Sequence, residues 1–297
     1  MIIRKSVFGA AALLCAVPVA QAAQNLNKRA AVAADATIEV SNVEGRVDVT
    51  AWDRNEVELT ARLESDEDTL EFEATERQVR IKVVKPKGHF KGSDEAILTL
   101  RIPQGARLTA QTVSADVTVD GVRGEQRLHT VSGDVETRAY DEPVALRTVS
   151  GDGTIRGTGG KSAVSVTGVS GSIEVGGIRG GFEGQVVSGE IKVELAAAER
   201  ASLKTISGDI DARLELLPVA RVEMESVSGT IGLAAKAPVN AEFDVESFSG
   251  EITSCFGAKA RDKSAYGPGS ELRFTQGTGG ARVRIKSMSG DIRVCDR

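Results

Sequence analysis

Aromatic residues are scarce: eight Phe, two Tyr and one Trp in 297 residues. A compact globular core usually draws on large aromatic side chains. A core of Val, Ile, Leu, Ala and Gly suits thin stacked layers instead. Trp52, Tyr140 and Tyr266 are too scattered to form a sugar-stacking groove. Histidine is scarcer still. His89 and His129 are the only two, and their separation is no metal-ligand spacing, so no zinc centre is expected. Cysteine is limited to Cys15, Cys255 and Cys295. No run beyond the first 22 residues is apolar enough to span a bilayer, which takes about 20 such residues. Excess positive charge is absent too. Without the first 22 residues the chain holds 35 basic and 42 acidic residues, a net charge of −7. That balance argues against nucleic acid or an anionic membrane surface as the main partner.

What is present begins with a leader. Arg4 and Lys5 precede a mostly apolar run from Ser6 to Val19, and Ala20-Gln21-Ala22 supplies small residues where a signal peptidase reads. Residues 1–22 are therefore predicted to be a secretory signal peptide, and the protein to be exported to the periplasm or cell surface. A membrane anchor is the first alternative, but the run is too short. A lipoprotein modified at Cys15 is the second, but Leu14 stands where a small residue is wanted. Export makes a disulfide chemically permissible.

A tetrad then repeats: hydrophobic, Ser, Gly, polar. Its serines are Ser114, Ser132, Ser150, Ser170, Ser188, Ser207, Ser228, Ser249 and Ser289. All but Ser114, which precedes Ala115, are followed by glycine: Gly133, Gly151, Gly171, Gly189, Gly208, Gly229, Gly250 and Gly290. The serines are separated by 18, 18, 20, 18, 19, 21, 21 and 40 residues. Periods near 20 residues indicate a solenoid.

The phase around each serine gives the geometry. Six and four residues before it the chain is often apolar, as at Val144 and Leu146 or Val164 and Val166. Three and five residues after it the pattern resumes, as at Ile173 and Val175 or Ile191 and Val193. Both are period two, the mark of a strand with one inward face. The inward phase flips at the tetrad with no loop between, which requires a sharp corner of the kind glycine tolerates. Each unit reads as strand, Ser-Gly corner, strand, and a shorter third side of turn residues. Such units bury their apolar faces only by stacking. The predicted fold is all-β: a single-stranded parallel β-helix of nine or ten coils. A right-handed winding is expected, since parallel crossovers favour that hand.

This solenoid is assigned to residues 111–297. Residues 36–110 are β-rich but less regular, and are expected to form wider coils or a cap; residues 23–35 are expected to be a mobile or weakly helical tether. Pro86-Lys87-Gly88 and Asp94-Glu95 read as a polar loop. Gly267-Pro268-Gly269 reads as a turn in the enlarged penultimate unit, which is expected to project and offer a partner contact.

The tetrads, the opening Ile38-Glu39-Val40-Ser41-Asn42-Val43-Glu44-Gly45 and the following Trp52-Asp53-Arg54 resemble a bacterial family of unknown function, provisionally named as adhesins. They are similar to β-solenoid modules associated with envelope stress. The resemblance runs from about Thr37 to Val294. It implies an extracytoplasmic repeat protein with no catalytic residues to carry over.

Cys255 and Cys295 each lie six residues after a tetrad serine, so they occupy one position in two coils. If the 40-residue unit is one enlarged coil, they stack one layer apart and meet the about 4.4–6.8 Å Cα separation of a disulfide. If it holds two coils, they are too far apart. A disulfide is the expectation. The residue after Ser-Gly is acidic at Asp134, Asp152, Glu190, Asp209, Glu251 and Asp291, and Asp116 matches them in the first tetrad. Stacked like charges invite a divalent cation, but a solvated edge explains them and no metal is expected. The serines are not read as nucleophiles, because nine equivalent residues cannot all have a base. Gly157-Thr158-Gly159-Gly160-Lys161-Ser162 misses the phosphate-loop spacing, since Ile155 stands where its first glycine belongs.

The functional expectation is a non-enzymatic, monomeric envelope scaffold without cofactors, contacting an envelope protein or a polysaccharide through its long face. Two alternatives stand beside it: a polysaccharide-active β-helix enzyme, and a polymer of coils stacked end to end.

Overall fold

The computed structural model describes residues 23–86, 95–263 and 268–296. The expected signal peptide, His89, Tyr266, Gly267 and most of the loop after Pro86 lie outside the described residues. The described residues form an all-β solenoid of 22 strands. No helix among the described residues is long and apolar enough to cross a membrane.

Successive coils pair in parallel. Val144–Thr148 lies between Gln126–His129 and Lys161–Ser170, and residue pairs such as Leu146↔Leu128 and Leu146↔Val166 keep the inward side chains in line. On the other side of the corner, Gly153–Gly157 lies between Val135–Ala139 and the start of Ile173–Ser188. The phase flip is visible in burial. Val164, Val166 and Gly168 face inward, Val169 and Ser170 face solvent, and Ile173 and Val175 face inward again. Val, Ile, Leu and Ala from both faces form one continuous core. The third side is irregular, with register shifts near Gly176–Gly181 and Leu195–Arg200.

Coil order departs from chain order at both ends. The coil of Ser289 does not follow that of Ser249 outward. Ala281–Ser289 instead sits between Ile210–Ser228 and Ala241–Ser249, paired in parallel with each. The segment Ile292–Cys295 repeats this on the other face, between Ile231–Ala235 and Ile252–Ser254. At the other end Thr37–Trp52 lies between Arg107–Asp120 and two later strands, Gln78–Val84 and Ala96–Pro103. Each terminal coil of the sequence is thus covered by a layer from further inside the chain.

Antiparallel strands cap both ends and cover part of the outermost parallel layers. Residues 24–31 are not a tether. They form a strand, Gln24–Ala31, antiparallel to Glu56–Leu63, which is itself antiparallel to Ala96–Pro103. Its alternating, partly buried Leu26 explains why it docks. The expected projection around Pro268-Gly269 is also corrected. Ser270–Gln276 folds back antiparallel onto Ala241–Ser249 as a cap. Phe274 stacks on Phe243 at 4.6 Å, and Phe256 packs against both at 5.5 Å. Burying this aromatic cluster explains why the insertion lies on the core rather than in solvent.

Candidate functional site

The nine serines form one column. Ser170↔Ser188, Ser188↔Ser207, Ser207↔Ser228, Ser228↔Ser289 and Ser289↔Ser249 are register partners. At the first corners Ser132, Ser150 and Ser170 each donate a backbone N–H to the tetrad valine of the coil before, at 2.7 Å. Val43-Glu44-Gly45-Arg46 continues the column beyond Ser114, with Glu44 opposite that serine.

Two hydrogen-bond schemes close the corners. Thr130 and Thr148, buried two residues before the serine, accept the N–H of Gly133 and Gly151 at 3.0 and 2.9 Å. In later coils the glycine N–H reaches the next layer instead: Gly208 to the Ser228 carbonyl at 2.9 Å and Gly290 to the Ser249 carbonyl at 2.9 Å. Glycine is required because the layers touch there. A Cβ on Gly208 would sit 1.9 Å from the Gly189 carbonyl oxygen, and one on Gly290 would sit 2.0 Å from that of Gly229.

The acidic column has a structural occupant. Asp116 Oδ1 accepts the backbone N–H of Asp134 at 3.0 Å, and Asp134 Oδ1 accepts that of Asp152 at 2.9 Å. Asp152 does the same for Ser172, Asp209 for Thr230, and Asp291 for Glu251, at 2.7, 2.7 and 2.9 Å. Aspartate has the reach to bridge one layer. No group of three or more His, Cys, Asp or Glu able to hold a metal occurs among the described residues. Asp209→Ala is expected to cost about 1 kcal/mol, the scale of one lost hydrogen bond. Glu190→Ala is expected to change stability by less than about 0.5 kcal/mol, since among the described residues the Glu190 carboxylate bonds only Lys192 and lies partly exposed. Urea unfolding of both variants checks the contrast.

His129 stands three residues before Ser132, and among the described residues no hydrogen bond joins it to a tetrad serine. Burial first, then the Arg147 and Arg127 guanidinium groups, hold its imidazole below the ordinary histidine range. A surface cavity of about 850 Å³ beside the C-terminal cap does contain carboxylates, Glu242 and Asp244. Both are in ion pairs: Asp244 with Arg273 at 2.9 Å and Glu242 with Arg282 at 4.0 Å.

The feature that sequence reasoning missed is the first residue of the tetrad. Val113, Val131, Val149, Val169, Val187, Ile206, Val227, Phe248 and Met288 are all exposed, from 42% at Val131 to 59% at Met288. Stacked in one column, they form an apolar ladder spanning about 38 Å at ordinary strand spacing. The signal was available. These residues sit one place before the serine, out of phase with the inward positions. Cys255 and Cys295 are joined by a disulfide, Cα to Cα 4.8 Å, between the two outermost layers of the column.

This Ser-Gly-edged stack carries a family signature. A profile described as Toastrack DUF4097 matches residues 31–295. The chain belongs to the Toastrack DUF4097 family. No curated protein matches it. Solved structures similar to this Toastrack chain include a provisionally named lipid-binding protein from Parabacteroides distasonis, at 16% identity and a TM-score of 0.48, covering 91% of this chain and 96% of that one. A provisionally named adhesin from Bacteroides fragilis is 11% identical with a TM-score of 0.37, at 91% and 96% coverage. A provisionally named cell adhesion protein from Clostridium sporogenes is 9% identical with a TM-score of 0.25, at 92% and 99% coverage.

Proposed function

We propose that this protein is a non-enzymatic, adhesin-like module of the cell envelope that makes its contacts through the Ser-Gly edge. The apolar ladder carries the reading. A folded monomer rarely keeps a contiguous apolar patch of more than a few hundred Å² in water without using it. Here each of nine coils exposes one hydrophobic side chain on the same line. A solenoid suits such work, because its repeats present an extended surface. The Toastrack match and the adhesin names among similar structures accord with it. The leader motif accords with export to the periplasm or cell surface.

The test compares the mature chain with a variant carrying Val131→Thr, Val149→Thr and Val169→Thr. Threonine keeps the branched shape and strand preference, so melting is expected to change little. Captured envelope material, protein or polysaccharide, should be held by the parent chain and lost by the variant. Equal capture by both would refute the edge as the contact surface.

A further inference from the structure

The geometry points to a second copy of this chain as the occupant of the ladder, with the two ladders parallel and related by a two-fold axis along them. This rests on the reading of the Ser-Gly edge as a contact surface and names its partner.

The columns on either side of the ladder carry the argument. On one side lies the residue three places before each serine, on the same outward strand face as the ladder residue. On the other lies the residue two places after it. In three of the nine coils these two are complementary. Arg147 faces Asp152 across the ladder, Lys204 faces Asp209, and Lys286 faces Asp291. In three further coils the second residue is acidic beside a first that is Gln111, His129 or Gln185, giving Asp116, Asp134 and Glu190, and Thr167 faces Ser172. Where the first turns acidic, at Glu225, the second is Thr230. The outermost coil sets Glu246 beside Glu251, but Glu246 is already paired to Lys263 at 2.7 Å.

The matching is not used within the chain. No ion pair joins Arg147 to Asp152, Lys204 to Asp209 or Lys286 to Asp291 among the described residues. Lys204 pairs with Glu225 instead, at 3.0 Å. A two-fold axis along the ladder places the first column of one copy, with Arg147, Lys204 and Lys286, over the acidic second column of the other, coil by coil. It sets Arg147 against the other copy's Asp152 and gives an isologous interface. A ladder running the opposite way would lay acid on acid, which like-charge repulsion opposes. The apolar area is sufficient. Nine side chains exposed by 42–59% present on the order of 800 Å², the contribution of one partner to a standard interface.

The experiment uses the mature chain with its native disulfide intact. Single variants Val131→Cys, Val169→Cys and Val187→Cys are oxidised mildly and run on non-reducing gels. Parallel ladders bring each position to its own copy, so all three are expected to give covalent dimers. Sedimentation of the uncross-linked parent should show a dimer, and Arg147→Glu with Lys204→Glu should raise its dissociation constant at least tenfold. Cross-linking at one of the three positions alone would overturn the parallel arrangement. A parent chain that sediments as a monomer and cross-links nowhere would overturn the second copy. If that monomer still captured envelope material that the threonine variant lost, the contact edge would stand without the dimer. If capture were also equal, both would fall.

Discussion

Replacing Gly208 with alanine is expected to cost roughly 3–5 kcal/mol and to disorder the middle of the stack. The new Cβ would lie 1.9 Å from the Gly189 carbonyl oxygen and 2.9 Å from its amide nitrogen. Neither is the far end of a flexible side chain, so the layers themselves would have to part. Parting them breaks the hydrogen bond from the Gly189 N–H to the Ser207 carbonyl and the register of Ser188 with Ser207. The control is Gly232→Ala in Ile231–Ala235, where the nearest atom is 3.7 Å away. That change should be neutral or stabilising by up to about 1 kcal/mol, because alanine narrows the unfolded ensemble. Urea unfolding distinguishes the pair. Equal stabilities would mean that the glycine column is not a steric requirement.

Removing the disulfide is the second large effect. Cys255 and Cys295 close a loop of 40 residues that contains the cap and the returning strand. The loop-entropy relation gives about 4 kcal/mol for a loop of that length. In Cys255→Ser with Cys295→Ser this loss should be local, since solenoid layers couple mainly to their neighbours. Hydrogen exchange should speed up in Ala281–Ser289 and Ala241–Ser249 and stay slow in Lys161–Ser170. The unreduced parent should show no titratable thiol from this pair. Two titratable thiols, or uniform exchange throughout the variant, would contradict the bridge or its placement.

Much of this architecture was legible because burial leaves a period-two trace. Val164, Val166, Ile173 and Val175 alone fix two strand faces and the corner between them. The column of serines followed from their spacing. Layer order was not legible at the ends. A strand offers the same row of donors and acceptors to either neighbour, so the pattern of Ala281–Ser289 does not say whether it follows Ser249 or slips in beneath it. Gln24–Ala31 was missed because its apolar residues are few and its partner, Glu56–Leu63, is reached only through tertiary pairing. The cap was misread because glycine and proline mark a turn without saying where its arms lie. The ladder was hidden in plain view. Val131 or Val149 reads as core until its phase is compared with Leu128 or Leu146, which are buried.

The fold stands on one column of stacked corners in the order Ser228, Ser289, Ser249. Cysteine pairs on the ladder test it directly. Adjacent layers place Cα atoms about 4.8 Å apart, within disulfide range, and layers two apart about 9.6 Å, outside it. Val227→Cys with Met288→Cys should therefore form an intramolecular bridge on mild oxidation, and Val227→Cys with Phe248→Cys should not. The reverse pattern, or bridging in neither variant, would contradict the stacking order on which the edge, the ladder and its proposed partner all depend.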